Sequence, residues 1–246
     1  MFMMQTVFMQ SVKGKKILVV GATGGIGAAT ARLLAGSGAN IFIAARNAEK
    51  LSELASALQL PPAQVAVCDI SNAQQVATLQ QQYVSVFGNI DILINASGIG
   101  IIKPVEQLSE HDFLQSLHTN LFGSFLLVRA FLPLMKEARQ GLIVNVPGVL
   151  GKVPMAGAAA YSASKYGLVG MMQSIREELK RTEIRITNLF LGGVDSPFWD
   201  TIDLRVQKDK MIRAEEAAKA IWFLCQQPAS GVVSEMVLQP FNHQAI

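Results

Sequence analysis

A single-domain α/β fold, with a doubly wound parallel sheet of about seven strands and helices on both faces, follows from three features of the sequence. Short β-branched runs alternate with longer stretches of helical spacing along the whole chain. Runs such as Ile17-Leu18-Val19-Val20 and Ile92-Leu93-Ile94 are apolar at successive positions, which suits strands covered by helices on both sides. No linker, repeat or low-complexity segment divides the 246 residues, a length ample for one large core. In order, β-branched runs predict strands over 16–20, 40–45, 64–67, 91–94, 141–146, 185–190 and 232–238. Apolar spacing near 3.6 residues predicts helices over 25–36, 48–58, 72–87, 108–136, 159–180 and 214–226. In such a sheet a ligand binds beyond the carboxyl ends of the strands.

Composition excludes several classes. Half the residues are hydrophobic and 16% are charged, so the chain is not intrinsically disordered. Lys and Arg outnumber Asp and Glu by 21 to 18, and they are spread along the chain without a basic tract, so no nucleic-acid partner is expected. Cys68 and Cys225 are too few for a disulfide framework and suit a reducing compartment. Mean hydropathy is +0.33, yet no run reaches the ~18 consecutive apolar residues of a spanning helix. Residues 1–10 carry no basic n-region or cleavage site of a secretory signal. Residues 1–12 therefore read as an N-terminal extension, residues 13–246 as one domain, and the protein as soluble and cytoplasmic, without membrane insertion. His111 and His118 have no acid partner or metal spacing and read as packing or surface residues; no metal site is expected.

The first strand runs directly into Gly21-Ala22-Thr23-Gly24-Gly25-Ile26-Gly27 and then a helix. Glycines there let the chain turn sharply and let a pyrophosphate approach the helix N-terminus, which makes this the dinucleotide loop of a Rossmann-type fold. A cofactor with a free 2′-hydroxyl usually meets an acid at the tip of the second strand. Here Ala44-Ala45-Arg46-Asn47 offers Arg46, whose guanidinium suits a 2′-phosphate, so NADP is favoured over NAD. Asp69 and Ile70 follow the third strand, and Asn95 and Ala96 the fourth, where an adenosine would lie. In Tyr161-Ser162-Ala163-Ser164-Lys165, a phenol and an ammonium four residues apart share a helix face. A nearby cation is expected to lower the phenol's pKa and make Tyr161 a general acid/base for a carbonyl/alcohol pair.

These segments resemble the short-chain dehydrogenase/reductase family over nearly the whole chain, from about residue 13 to 240. The glycine loop matches the family's Gly-x-x-x-Gly-x-Gly, and Asn95-Ala96-Ser97-Gly98 resembles its Asn-Asn-Ala-Gly. The resemblance implies that Asn120 anchors a proton-relay water, that Tyr161 and Lys165 are the catalytic pair, and that Lys165 also holds the nicotinamide ribose. It implies cofactor contacts from Gly21, Thr23, Gly25, Ile26, Gly27, Arg46, Asp69, Ile70, Asn95, Ala96, Gly98, Gly192, Val194 and Ser196. It further implies a homodimer or homotetramer, and hydride transfer between nicotinamide and a small carbonyl or alcohol.

The sequence departs from the family's pattern at one chemically important place. The family's catalytic Ser lies thirteen residues before the Tyr; here Pro147-Gly148-Val149 puts Gly148 there. Losing one such donor costs about 10²–10³ in rate by analogy with oxyanion holes. Val20, Ala96 and Leu191 are lesser departures, standing for Thr, Asn and Pro. The alternative reading is therefore a weakened NADP(H)-binding sensor or scaffold. Ile99, Leu150, Met155, Leu191 and Trp199 are expected to shape a substrate pocket, and Phe198, Trp199 and Ile202 to form a short apolar lid.

Overall fold

The computed structural model describes residues 10–242. The elements run β1 (Lys16–Val20), α1 (Gly25–Gly36), β2 (Asn40–Ala45), α2 (Ala48–Ala57), β3 (Val65–Val67), α3 (Ala73–Phe87), β4 (Ile92–Asn95), α4 (Glu110–Leu117), α5 (Gly123–Ala138), β5 (Gln140–Asn145), α6 (Ala159–Leu179), β6 (Glu183–Leu191), β7 (Val194–Asp195), β8 (Ile212–Arg213), α7 (Ala214–Leu224) and β9 (Glu235–Leu238). Seven strands form one wholly parallel sheet in the order β3-β2-β1-β4-β5-β6-β9, the doubly wound architecture expected. Strand order reverses between β1 and β4, and the loops leaving these two strands diverge to open a crevice.

Alternation along each strand sorts its side chains into two cores. In β1, Ile17 and Val19 pack with Leu34 of α1, Leu51 of α2 and Ile221 of α7. Leu18 and Val20 face the opposite side with Leu79 of α3, Phe131 of α5 and Met172 of α6. Cys68 and Cys225 are free and buried in these layers; burial, helped at Cys68 by the Asp69 charge, pushes their thiols up to about 11 and about 12.

Three expectations are corrected. The helix expected over 108–136 is broken by a π turn, His118–Phe122, where the Gly123 N–H reaches back five residues to the His118 carbonyl. With that turn, the run Glu110–Ala138 is long and apolar enough to cross a membrane by length and composition. Leu126, Leu127, Phe131 and Met135 are nevertheless buried in the second core, as in a core helix of a globular fold. The last strand begins at Glu235 rather than at residue 232, because the Val233 N–H is taken by Gln227 Oε1 at 2.8 Å instead of the ladder. Of the expected extension, residues 1–9 lie outside the described residues. Gln10 donates its N–H to Gln226 O at 3.0 Å and Val12 is buried in the first core, so residues 10–12 belong to the fold.

Tyr83 sits at the centre of an aromatic cluster, with ring centroids 5.4 Å from Phe42, 5.2 Å from Phe87 and 5.6 Å from Phe131. Its hydroxyl is buried and has no partner among the described residues. An unsatisfied buried hydroxyl costs about 1–3 kcal/mol. Tyr83→Phe is therefore expected to raise the thermal midpoint by about 2–4 °C per kcal/mol recovered; a lower midpoint by calorimetry would show that the hydroxyl is satisfied.

Candidate active site

The turn after β1 is built by close backbone approach. Gly21 has φ +81°, which side-chain-bearing residues rarely adopt, and a Cβ there would stand 2.7 Å from Ser97 N. At Gly27 a Cβ would lie 2.1 Å from the Gly21 carbonyl oxygen, so only glycine lets α1 start this close to the strand. The N-cap, Gly24, makes no side-chain bond, and the first turn of α1 contains no acid. The positive end of the helix thus faces the crevice without an internal counter-charge.

Two cavities occupy the crevice. The larger, about 850 Å³, is lined by Gly24–Gly27, Gly98, Tyr161, Lys165, Gly192–Val194 and Ser196, with an apolar wall that includes Leu150, Met155, Leu191 and Trp199. The smaller, about 510 Å³, is lined by Gly21, Thr23, Arg46, Asn47, Lys50 and Ile70. Gly24, Ala96, Ser97, Gly98 and Phe198 form walls of both. Phe198 follows β7 in a 3₁₀ turn, Pro197–Thr201. Its ring lies 5.8 Å from the Tyr161 ring and seats on Gly100, where a Cβ would be 2.3 Å from Phe198 Cζ. Trp199 stands edge-on to it at 5.3 Å and donates Nε1–H to Val194 O at 2.8 Å. The segment expected as a lid is thus folded against the crevice.

Tyr161 and Lys165 project from the first turns of α6. Lys165 is 2% exposed; its Nζ lies 5.5 Å from the Tyr161 ring centroid and 3.4 Å from Val146 O. The direction expected for the phenol is reversed. Burial pushes the Tyr161 phenol above its ordinary value and pulls the Lys165 ammonium down to about 8, because desolvation disfavours both charged forms. Gly148 has φ +73°, and a Cβ there would be 3.8 Å from Tyr161 Oη and 3.6 Å from Leu191 O, at ordinary contact distance.

Other predicted residues do not reach a cavity wall. Asn120, 1% exposed, accepts from Ile99 N at 2.8 Å and donates to Ile99 O and Ser164 Oγ, both at 3.0 Å. Asn95 is buried, bonding Ser124 Oγ at 2.8 Å and Asn145 Oδ1 at 3.2 Å, and accepting from Ser97 N and Oγ. Asp69 turns onto Ser71, accepting from its N at 2.9 Å and Oγ at 2.7 Å. Partial burial raises the Asp69 pKa, but the two Ser71 bonds and the Arg46 and His118 charges outweigh it, leaving the carboxyl below its usual value. Expected pocket residue Ile99 is replaced in the wall by Ile102. His118 stacks on Phe122 at 5.0 Å, as a packing histidine does. Sequence reading missed Arg205, Gln207, Lys210 and Asn242 in the larger cavity, and Lys50 in the smaller; none belongs to a local motif.

Comparison with known proteins is consistent with this geometry. Residues 15–206 match the family model described as short chain dehydrogenase. An uncharacterised oxidoreductase of Staphylococcus epidermidis is 30% identical over 94% of this chain and 100% of its own. A 3-oxoacyl-[acyl-carrier-protein] reductase of Thermotoga maritima is 29% identical over 92% and 96%. An alcohol dehydrogenase of Thermococcus sibiricus, solved with 5-hydroxy-NADP, superposes with a TM-score of 0.86 at 25% identity, covering 95% of this chain and 100% of that one. A metagenomic short-chain oxidoreductase solved with NADP superposes with a TM-score of 0.80 at 30% identity, covering 94% and 99%. A match over most of the sequence, on a sheet with the same winding, makes the chain a member of the short-chain dehydrogenase family of oxidoreductases.

Proposed function

We propose that the chain is an NADP(H)-dependent oxidoreductase that interconverts a carbonyl compound and its alcohol. The observation that carries this reading is that Tyr161 and Lys165 share one cavity with the glycine turn of α1. The residues fit a phosphorylated dinucleotide. The side-chain-free turn exposes an uncapped helix N-terminus, and the smaller cavity offers Arg46 and Lys50 but no carboxylate among its described lining residues, which favours a 2′-phosphate. Gly21, Thr23, Gly25, Ile26, Gly27, Arg46, Ile70, Ala96, Gly98, Gly192, Val194 and Ser196 would hold the dinucleotide, which supplies or accepts the hydride when bound.

The chain's own part is proton transfer and positioning. Partial desolvation in the cavity wall holds the phenol protonated through the neutral range, the form a carbonyl reduction needs. Tyr161 gives that proton to the substrate oxygen, and Lys165, charged below about pH 8, faces the phenolate left behind. Asn120 acts through Ile99 and Ser164, as a positioning residue. Gly148 stands in place of the family's catalytic serine and leaves Tyr161 as the hydroxyl donor. Exposed Leu114, Phe122 and Phe125 line an apolar hollow with Met171, and this face supports pairing with a second copy. The buried free thiols fit a reducing, cytoplasmic setting.

Three experiments test the assignment. NADPH oxidation with a carbonyl panel is expected to fall by about 10²-fold or more in Tyr161→Phe, the usual scale of a lost general acid; unchanged turnover refutes the role. Gly148→Ser has room for its Cβ but strains the left-handed backbone there; in a variant that keeps the wild-type thermal midpoint it is expected to raise kcat/KM about tenfold or more. A flat response with NADPH still bound would favour the sensor or scaffold reading. The third experiment is on stability. The unfolded chain keeps the Lys165 proton to about pH 10.5 and the folded chain only to about 8, so between those values stability rises with pH, and below pH 8 the fold carries the full penalty of about 3 kcal/mol. Lys165→Met is expected to be more stable at neutral pH and to lose the rise between pH 8 and 10, as measured by urea unfolding without cofactor.

A further inference from the structure

From Asp195 to the start of β8, the chain turns cations and no carboxylate into the larger cavity. Arg205 and Lys210 line the larger cavity, whereas Asp195, Asp200, Asp203 and Asp209 do not. Lys165 is the other charged residue in that lining, so among the described residues the cavity is walled by three cations and no carboxylate. The pairing of neighbours sharpens the contrast. Lys208, between the two, is bound to Asp200 at 2.7 Å, and Arg213, just beyond, to Glu216 at 2.7 Å. Neither Arg205 nor Lys210 forms an ion pair among the described residues. Around them the wall carries the neutral polar Gln207 and Asn242 and an apolar stretch of Val149, Leu150, Val153, Met155, Val206 and Met211.

From this arrangement we infer that the substrate is an amphipathic carbonyl compound: an apolar body in the cavity and an anionic end group, carboxylate or phosphate, held by Arg205 and Lys210. The inference rests on the oxidoreductase reading and names its substrate class. Two exposed cations beside an apolar wall attract an anion without the desolvation cost that a fully buried pair would carry. Arg205 presents a planar fork suited to either oxyanion, and Lys210 a mobile point charge. Lys165 is committed to Tyr161, and Arg46 and Lys50 line the other cavity, so Arg205 and Lys210 are the cations of the crevice that the dinucleotide and the proton transfer leave unassigned.

The test uses methyl ketones of graded chain length in three forms: neutral, with a terminal carboxylate, and with a terminal phosphate. At one or more lengths an anionic form is expected to exceed its neutral counterpart by about tenfold or more in kcat/KM, the scale of a charge-assisted contact at a partly exposed site. The better of the two anions identifies the end group. Arg205→Gln with Lys210→Gln is expected to raise KM for the anionic ketones and erase the preference. Arg205→Glu with Lys210→Glu is expected to shift it toward ketones bearing a terminal ammonium. Equal kcat/KM for all forms overturns the inference. So does a loss of NADPH affinity in the Gln variant large enough to account for the change, which would assign both cations to the cofactor. If no ketone of any form is reduced, the oxidoreductase reading fails. The inference is then decided by titrating the protein with the same ketones and following tryptophan fluorescence, where equal affinity for anionic and neutral forms overturns it.

Discussion

Asn120 Oδ1 accepts the Ile99 N–H while Nδ2 donates to the Ile99 carbonyl and to Ser164 Oγ, and Ser164 Oγ in turn donates to the Tyr161 carbonyl. The loop after β4, the π turn and the first turn of α6 therefore meet at one buried amide. Leaving any of its atoms unmatched would cost about 1–3 kcal/mol, so these elements hold each other in register. The same joint fixes the approach of the β4 loop to α6. A Cβ on Gly98 would lie 3.1 Å from Asn120 Oδ1 and 3.2 Å from Lys165 Nζ, leaving almost no slack between the cofactor-side loop and the ammonium. π turns recur at functional sites because one extra residue re-aims a helix without ending it, and here the side chain carried inward is the one that joins the loops.

That rigidity has an energetic counterpart at Lys165. A nearly inaccessible ammonium with one long contact to a backbone carbonyl is poorly compensated, and its desolvation lowers its pKa. A fold selected only for stability would place an apolar side chain there. Gly148 lies near the same centre. Its positive φ favours glycine, yet a Cβ would meet the Tyr161 hydroxyl at ordinary contact distance, so the backbone conformation rather than crowding opposes a side chain.

The architecture was legible because strand and helix periods are long-range averages. The runs at 16–20 and 40–45 coincide with β1 and β2, and the helix at 25–36 with α1, residue for residue. The glycine turn and the Tyr161/Lys165 pair were legible because each is local: seven consecutive residues in one case, one helical turn in the other. For Asn95 and Asp69 the positions at strand ends are visible in sequence whereas the directions of the side chains are not. Asp69 turns to Ser71, and Asn95 to Ser124 and the amide of Asn145. The π turn was invisible because apolar spacing on either side stays helical. Arg205 and Lys210 were missed for a different reason: irregular chain brings them to the wall, and irregular chain has no period to read.

Phe198 adds a property that neither cavity has alone. Its ring is a party wall between two chambers, one ending at Arg46 and the other at Tyr161, and it rests on a glycine with no side chain to yield. Because that ring faces both chambers, its position sets the width of each, and a single side chain is the boundary the two have in common.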